Sequence, residues 1–304
     1  MEDFSFDDEY VDQYLKYEPY TQRAKRILKE FFRQRKTPFY FRQLQVYFES
    51  EVFHIATAQA VYQLENEGFL KRSPCRVSAN EVIFVFPARI LETNKAQQIL
   101  ESHMTSTAKV VAKYDSSEVS RDLGEHFESL VSHELRANQL HIDSIHTRSY
   151  KGKEWTTTLH TLDVIADCED GRAFGVEAKN QLASIEKDEL DIKLEMCDYL
   201  GLKPIFIVRY MPWSFVPAVT DKGGFVLTLG DQIYPLGYRK LCQEIQNKLS
   251  LSETQISRRL KDLAPKIRTR WPVRVSTSLP EDACQRLSYW LRTGRLPPRK
   301  SNMP

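Results

Sequence analysis

Asp163, Glu177 and Lys179 are the residues of this 304-residue chain whose types and spacing could do chemistry together. They lie in the run His160-Thr-Leu-Asp-Val-Ile-Ala-Asp-Cys-Glu-Asp-Gly-Arg-Ala-Phe-Gly-Val-Glu-Ala-Lys-Asn180. Glu169-Asp170-Gly171 reads as a three-residue hairpin loop, with Gly171 where a left-handed backbone is wanted. Folding about Asp170 pairs Cys168 with Arg172 and brings Asp163 opposite Glu177. By the period of two, Val164, Ala166, Cys168, Phe174, Val176 and Ala178 share an apolar face, which is the core side. The other face carries Asp163, Asp167, Glu177 and Lys179, with Ile165, Ala173 and Gly175 between them, and is expected to be wet. Two carboxylates opposed across a ladder repel, and a divalent cation between them reverses the sign. Hard oxygen ligands suit Mg2+, with Mn2+ as a substitute. Lys179 would then orient or deprotonate an attacking water, or offset charge that develops on a phosphate. The plainer reading is a surface hairpin with exposed ion pairs of about 0.5 kcal/mol, which leaves the facing acids unexplained.

The elements that must position these residues follow from periodicity. A helix over Glu118–Ala137 shows Leu123, Phe127, Leu130, Val131 and Leu135 on one face. Strand-like segments cover about His141–Tyr150, Leu159–Cys168 and Arg172–Lys179. A helix over Ser184–Leu200, closed by Gly201, precedes a buried-looking strand at Ile205–Val208. The order is α-β-β-β-α-β, an α/β class with a mixed sheet.

That order, with Asp on the second strand and Glu-x-Lys on the third, resembles the PD-(D/E)xK nuclease superfamily, whose fold is restriction-endonuclease-like. Spacing through Pro204-Ile-Phe-Ile-Val-Arg209 is similar to archaeal Holliday-junction resolvases, and Phe-Glu-x-Leu-Val to type IV restriction endonucleases. Leu162 stands where the family motif often has proline. Gly124-Glu-His-Phe-Glu-Ser-Leu-Val131 matches the family's first helix and implies Glu128 as a third metal ligand, with Glu125 the second choice. The resemblance implies a DNA endonuclease using Mg2+ held by Asp163, Glu177 and Glu128, with catalytic Lys179, leaving a 5′-phosphate and a 3′-hydroxyl. It also implies that a homodimer or a partner ATPase could be needed. The rival expectations are a DNA-binding or scaffold protein with an inactive nuclease fold, and a nuclease for RNA or for branched or single-stranded DNA.

Upstream, a basic amphipathic helix over Thr21–Arg35, helices over Arg42–Ser50 and Ile55–Glu67, and β-runs Phe69–Val77 and Val82–Phe86 resemble a winged helix-turn-helix domain. Its third helix carries no Lys or Arg, and only Gln59, Gln63 and Asn66 could read bases. A protein-contact role and a DNA-reading role both stay open. The expected domains are an acidic segment at 1–18, a winged helix at 19–92, a helical linker at 93–117, the nuclease domain at 118–236 and a helical basic region at 237–304.

Composition agrees with a globular chain: 41% hydrophobic, 28% charged and a net charge of +2, so nucleic-acid affinity requires local segregation of charge. Arg268 and Arg270 in the basic C-terminal region, and Arg148, Lys151 and Lys153 beside the strands, are the candidate DNA contacts, with solvated loop charges the plainer alternative. Trp271 and Trp290 read as core of a helical tail rather than stacking platforms. Gln181 is a second-choice substrate contact. His160 is left outside the site. Five scattered cysteines without a CxxC pair indicate neither disulfides nor a zinc ribbon. With no apolar run of about 18 residues and no signal-peptide pattern, a cytoplasmic protein without membrane contact is expected.

Overall fold

The computed structural model describes residues 8–77, 80–92 and 94–296. The first half of the chain runs α1 (Asp8–Phe32), β1 (Phe39–Tyr40), α2 (Phe41–Phe48), α3 (His54–Asn66), β2 (Leu70–Val77), β3 (Asn80–Pro87), α4 (Asn94–Tyr114) and α5 (Ser117–Ala137). It continues with β4 (His141–Thr147), β5 (Ser149–Tyr150), β6 (Lys153–Glu154), β7 (Leu162–Asp167), β8 (Ala173–Lys179), α6 (Lys187–Leu200) and β9 (Lys203–Val208). The remainder is α7 (Val216–Thr220), β10 (Phe225–Thr228), β11 (Gln232–Tyr234), α8 (Arg239–Leu249), α9 (Arg258–Leu263), β12 (Val273–Val275) and α10 (Glu281–Thr293). No described helix is long and apolar enough to cross a membrane.

Two units form. One holds the residues up to Ser116 together with Gln243–Trp271, and the other holds Ser117–Cys242 with the residues from Pro272 onward. The region at 237–304 is therefore not a domain of its own. Its large apolar side chains are divided between two cores: Trp271 is fully buried in the first unit, while Trp290 stacks on Phe225 in the second with ring centroids 5.0 Å apart.

In the first unit, β1, β3 and β2 form an antiparallel sheet in that spatial order. Ala24, Ile27, Leu28, Phe31 and Phe32 of α1 are all buried, as their 3.6-residue spacing requires. The segment 1–18 is not separate from this helix. Residues 1–7 lie outside the described residues, while α1 begins at Asp8 and runs through Pro19. A proline there removes one backbone donor without ending the helix. Strand β1 went unforeseen, because two residues carry no period. Residues 252–263 do not form one continuous helix: Ser252 caps a short turn, and Ser257 caps α9 by accepting from the Leu260 N–H at 3.1 Å.

In the second unit, a five-stranded mixed sheet has the order β10-β9-β8-β7-β4, with β4, β7 and β8 antiparallel and β8, β9 and β10 parallel. The protein is α/β. Gly171 has φ +85°, and the hairpin ladder runs Val164↔Val176, Ala166↔Phe174, with Cys168 N–H donating to Arg172 O at 2.8 Å. Val164, Ala166, Phe174, Val176 and Ala178 face the core beneath α5 and α10. The opposite face is not wet. Helix α6 covers it, burying Ile165 and Ala173 with Met196, Cys197 and Leu200. Gly175 is what lets α6 approach so closely: a Cβ there would stand 2.7 Å from Cys197 Sγ and 2.9 Å from Leu162 Cδ1. A parallel β8–β9 pair needs a crossover element on one face, which is why a hairpin rule alone misjudged the exposure.

Candidate metal centre

Strict alternation fails at the start of β7. Leu162 and Ile165 both pack beneath α6, whereas Val164 and Ala166 lie in the core on the other side. Asp163 sits at that irregularity, half-buried. Its Oδ2 accepts from the Ala178 backbone N–H at 2.7 Å, so the side chain takes a main-chain acceptor's place where the β7–β8 ladder ends. On the other flank, the register Ile145↔Val164 and Thr147↔Leu162 sets His146 across from Asp163. His146 has φ +48°, a left-handed backbone that His tolerates better than most residues.

Glu128, projecting from α5, completes the group. Its Oε2 lies 3.1 Å from His146 Nε2. Glu128, His146 and Asp163 each offer one ligand atom, and these atoms all lie within 4.8 Å of one another. At bond lengths of about 2.1 Å such donors require only a small inward movement to share one ion. Two carboxylate oxygens and one imidazole nitrogen make a mixed O/N donor set that a divalent cation could share.

Glu177 is 1% exposed and lies behind this group. Lys193 of α6, itself buried, donates to Glu177 Oε2 at 2.6 Å and to Thr161 O. Lys179 Nζ stands 3.0 Å from Glu177 Oε1 and 2.7 Å from Glu189 Oε1. Glu177 Oε1 is buried, with the Lys179 ammonium as its ion-pair partner. Burial raises the pKa of Glu177, and the Asp163 charge raises it further, against the pull of the two lysines. Asp163 is raised by burial, opposed by its bond from Ala178 N–H and by Lys193 and Lys179. For Glu128 burial again leads, with His146 pulling down and Glu177 and Glu125 pushing up. Lys179 behaves differently: burial lowers it, but Glu177 and Glu189 more than reverse this, so its pKa lies above the ordinary lysine value. Glu128, His146 and Asp163, with the buried Glu177 behind them, are the residues that could share a divalent cation at this place.

The structure thus gathers Asp163, Glu177, Lys179 and Glu128, and adds His146, Lys193 and Glu189. Glu177 is not among the three that converge; two ammonium groups hold it. Glu125 is exposed, 3.9 Å from Arg121, outside the group. Gln181 is exposed too. His160 bonds Thr158. Among the candidate DNA contacts, Arg148 is paired with Glu154 at 3.2 Å, Lys153 donates to Tyr199 O at 3.0 Å, and Lys151 lies over the Tyr150 ring. In the first unit, Arg268 pairs with the buried Glu49 at 3.1 Å, whereas Arg270 is exposed.

Lys193 had a signal in the sequence. It interrupts the stripe Leu190, Leu194, Cys197 at a position one turn from Leu190, where an unpaired lysine would be costly. His146 had none, since its place depends on the pairing of β4 with β7. No family model, curated protein or solved structure matches the chain. The resemblance to PD-(D/E)xK nucleases is carried by the sequence motif alone.

Proposed function

We propose that the protein is a metal-dependent endonuclease that hydrolyses phosphodiester bonds in DNA. The observation that carries the reading is the convergence of Glu128, His146 and Asp163 from three separate elements, beside Glu177 and Lys179. These three residues would hold the cation, with Glu177 behind them. When bound, Mg2+ or Mn2+ polarises the scissile phosphate and makes water a better nucleophile. Lys179, flanked by two glutamates, places the attacking water and offsets charge on the phosphate oxygens. Cleavage breaks the P–O3′ bond, leaving the 5′-phosphate and 3′-hydroxyl that the family resemblance implies.

In the first unit the order α1-β1-α2-α3-β2-β3 supports a winged helix. Its α3 suits protein contact better than base reading: Glu65 is paired with Arg72, Glu67 with Lys25 and Lys29, and Gln59 accepts from Thr21. A scaffold with an inactive nuclease fold is the second reading, favoured by the pairing of Glu177 with both lysines.

The test is a cleavage panel of supercoiled, linear, single-stranded and four-way-junction DNA plus RNA, with Mn2+, Mg2+ or EDTA. Metal-dependent cutting by the parent is expected, lost at least 100-fold in Asp163→Ala, Glu128→Ala and Lys179→Ala with binding kept. Binding without cutting on any substrate establishes the scaffold instead.

A further inference from the structure

The ionic composition of the centre bears on how many ions it holds, an inference that rests on the proposed metal centre. Four acids meet there, Glu128, Asp163, Glu177 and Glu189, against two ammonium groups, Lys179 and Lys193. In the loaded centre, with all four acids ionised and His146 neutral as a ligand, the sum is −2, which one divalent cation balances and two would overshoot to +2. Position argues the same way. Oε2 of Glu177 already has a close cationic partner in Lys193 Nζ at 2.6 Å, and Lys193 is anchored from behind by Thr161 O. Its side chain is 5% exposed, so the ammonium is enclosed beside Glu177. Glu125, the remaining acid nearby, is largely solvated and pairs with Arg121.

We infer that Lys193 takes the place of a second divalent cation: its ammonium stays on Glu177 in the loaded protein, and the centre holds one ion on Glu128, His146 and Asp163. Lys193 is thereby a positioning residue that sets metal stoichiometry.

The full-length chain is titrated with Mn2+, with bound ion counted by the loss of the free Mn2+ EPR signal and by calorimetry. One ion per chain is expected for the parent and for Lys193→Arg, and two for Lys193→Gln, whose fold is checked by circular dichroism. Two ions in the parent, or one in a folded Lys193→Gln, overturn the inference while leaving the metal centre in place. No bound ion in the parent removes the centre and the inference together. Should Lys193→Gln not fold, reductive methylation of the parent, mapped by mass spectrometry, decides. Lys193 is expected to stay unlabelled with and without Mn2+, and labelling on Mn2+ addition shows that the ammonium leaves Glu177, which overturns the inference.

Discussion

At the scale of single residues, the centre is a set of charges whose costs cancel only together. A buried carboxylate that loses its cationic partner leaves an uncompensated charge, which costs about 3–5 kcal/mol. Lys193→Ala leaves Glu177 with Lys179 alone, so it should lower unfolding free energy by part of that amount, and adding Glu177→Gln should recover most of the loss, read by urea denaturation. Purely additive losses would show that the two side chains do not depend on each other. The raised pKa values of Glu177, Asp163 and Glu128 make a second prediction, whose sign is fixed by linkage. The folded state holds these protons more tightly than the unfolded chain, so their contribution to stability is greatest when they are protonated and falls as pH rises through the folded values. Without divalent cation, Tm should decline as pH rises above the ordinary carboxylate range; Mn2+ should flatten that slope, and Asp163→Asn should reduce it. A Tm that does not change with pH in the metal-free chain would contradict the burial of these acids.

At the scale of elements, α6 is what turns a hairpin into a site. It supplies Lys193 and Glu189, shields Glu177 and comes close to the sheet at Gly175. Gly175→Ala should cost about 1–3 kcal/mol, since the new Cβ meets Cys197 Sγ and Leu162 Cδ1 below ordinary contact distance. Cys197→Ala in the same chain should relieve part of it, measured as a shift in the denaturation midpoint. An unaltered midpoint in Gly175→Ala would mean that α6 does not hold this position. Hairpin register and core face were legible beforehand, because a left-handed glycine and a two-residue period act over a dozen neighbouring residues. The cover of α6 over the second face was not, because it is set by the parallel joining of β8 to β9.

At the scale of the molecule, the basic C-terminal region belongs to both cores. A chain ended before Arg258 loses Leu260 and Trp271 from one unit and Leu287, Trp290 and Leu291 from the other. Each large buried side chain contributes several kcal/mol, so this truncation should abolish cooperative melting. A truncated chain with a sharp, parent-like transition would show that the region is dispensable surface. DNA affinity through this region is better tested by point changes. Arg270→Ala should lower the salt slope of binding by about one if it contacts a phosphate, while Arg268→Ala should act mainly on stability through the loss of its pair with buried Glu49.

From its sequence alone this protein has determined the succession of α5, β4, β7, β8, α6 and β9, though not the short β5–β6 pair, together with the turn at Gly171 and the neighbourhood of Asp163 with Glu177 and Lys179, since local spacing and alternation suffice for each. Only the tertiary structure decided that His146 joins Glu128 and Asp163, that Lys193 and Glu189 flank the pair on β8, and that Glu177 is buried. Those contacts join residues brought together by strand pairing and helix packing, and no period along the chain encodes which distant side chain fills a given side of a buried charge.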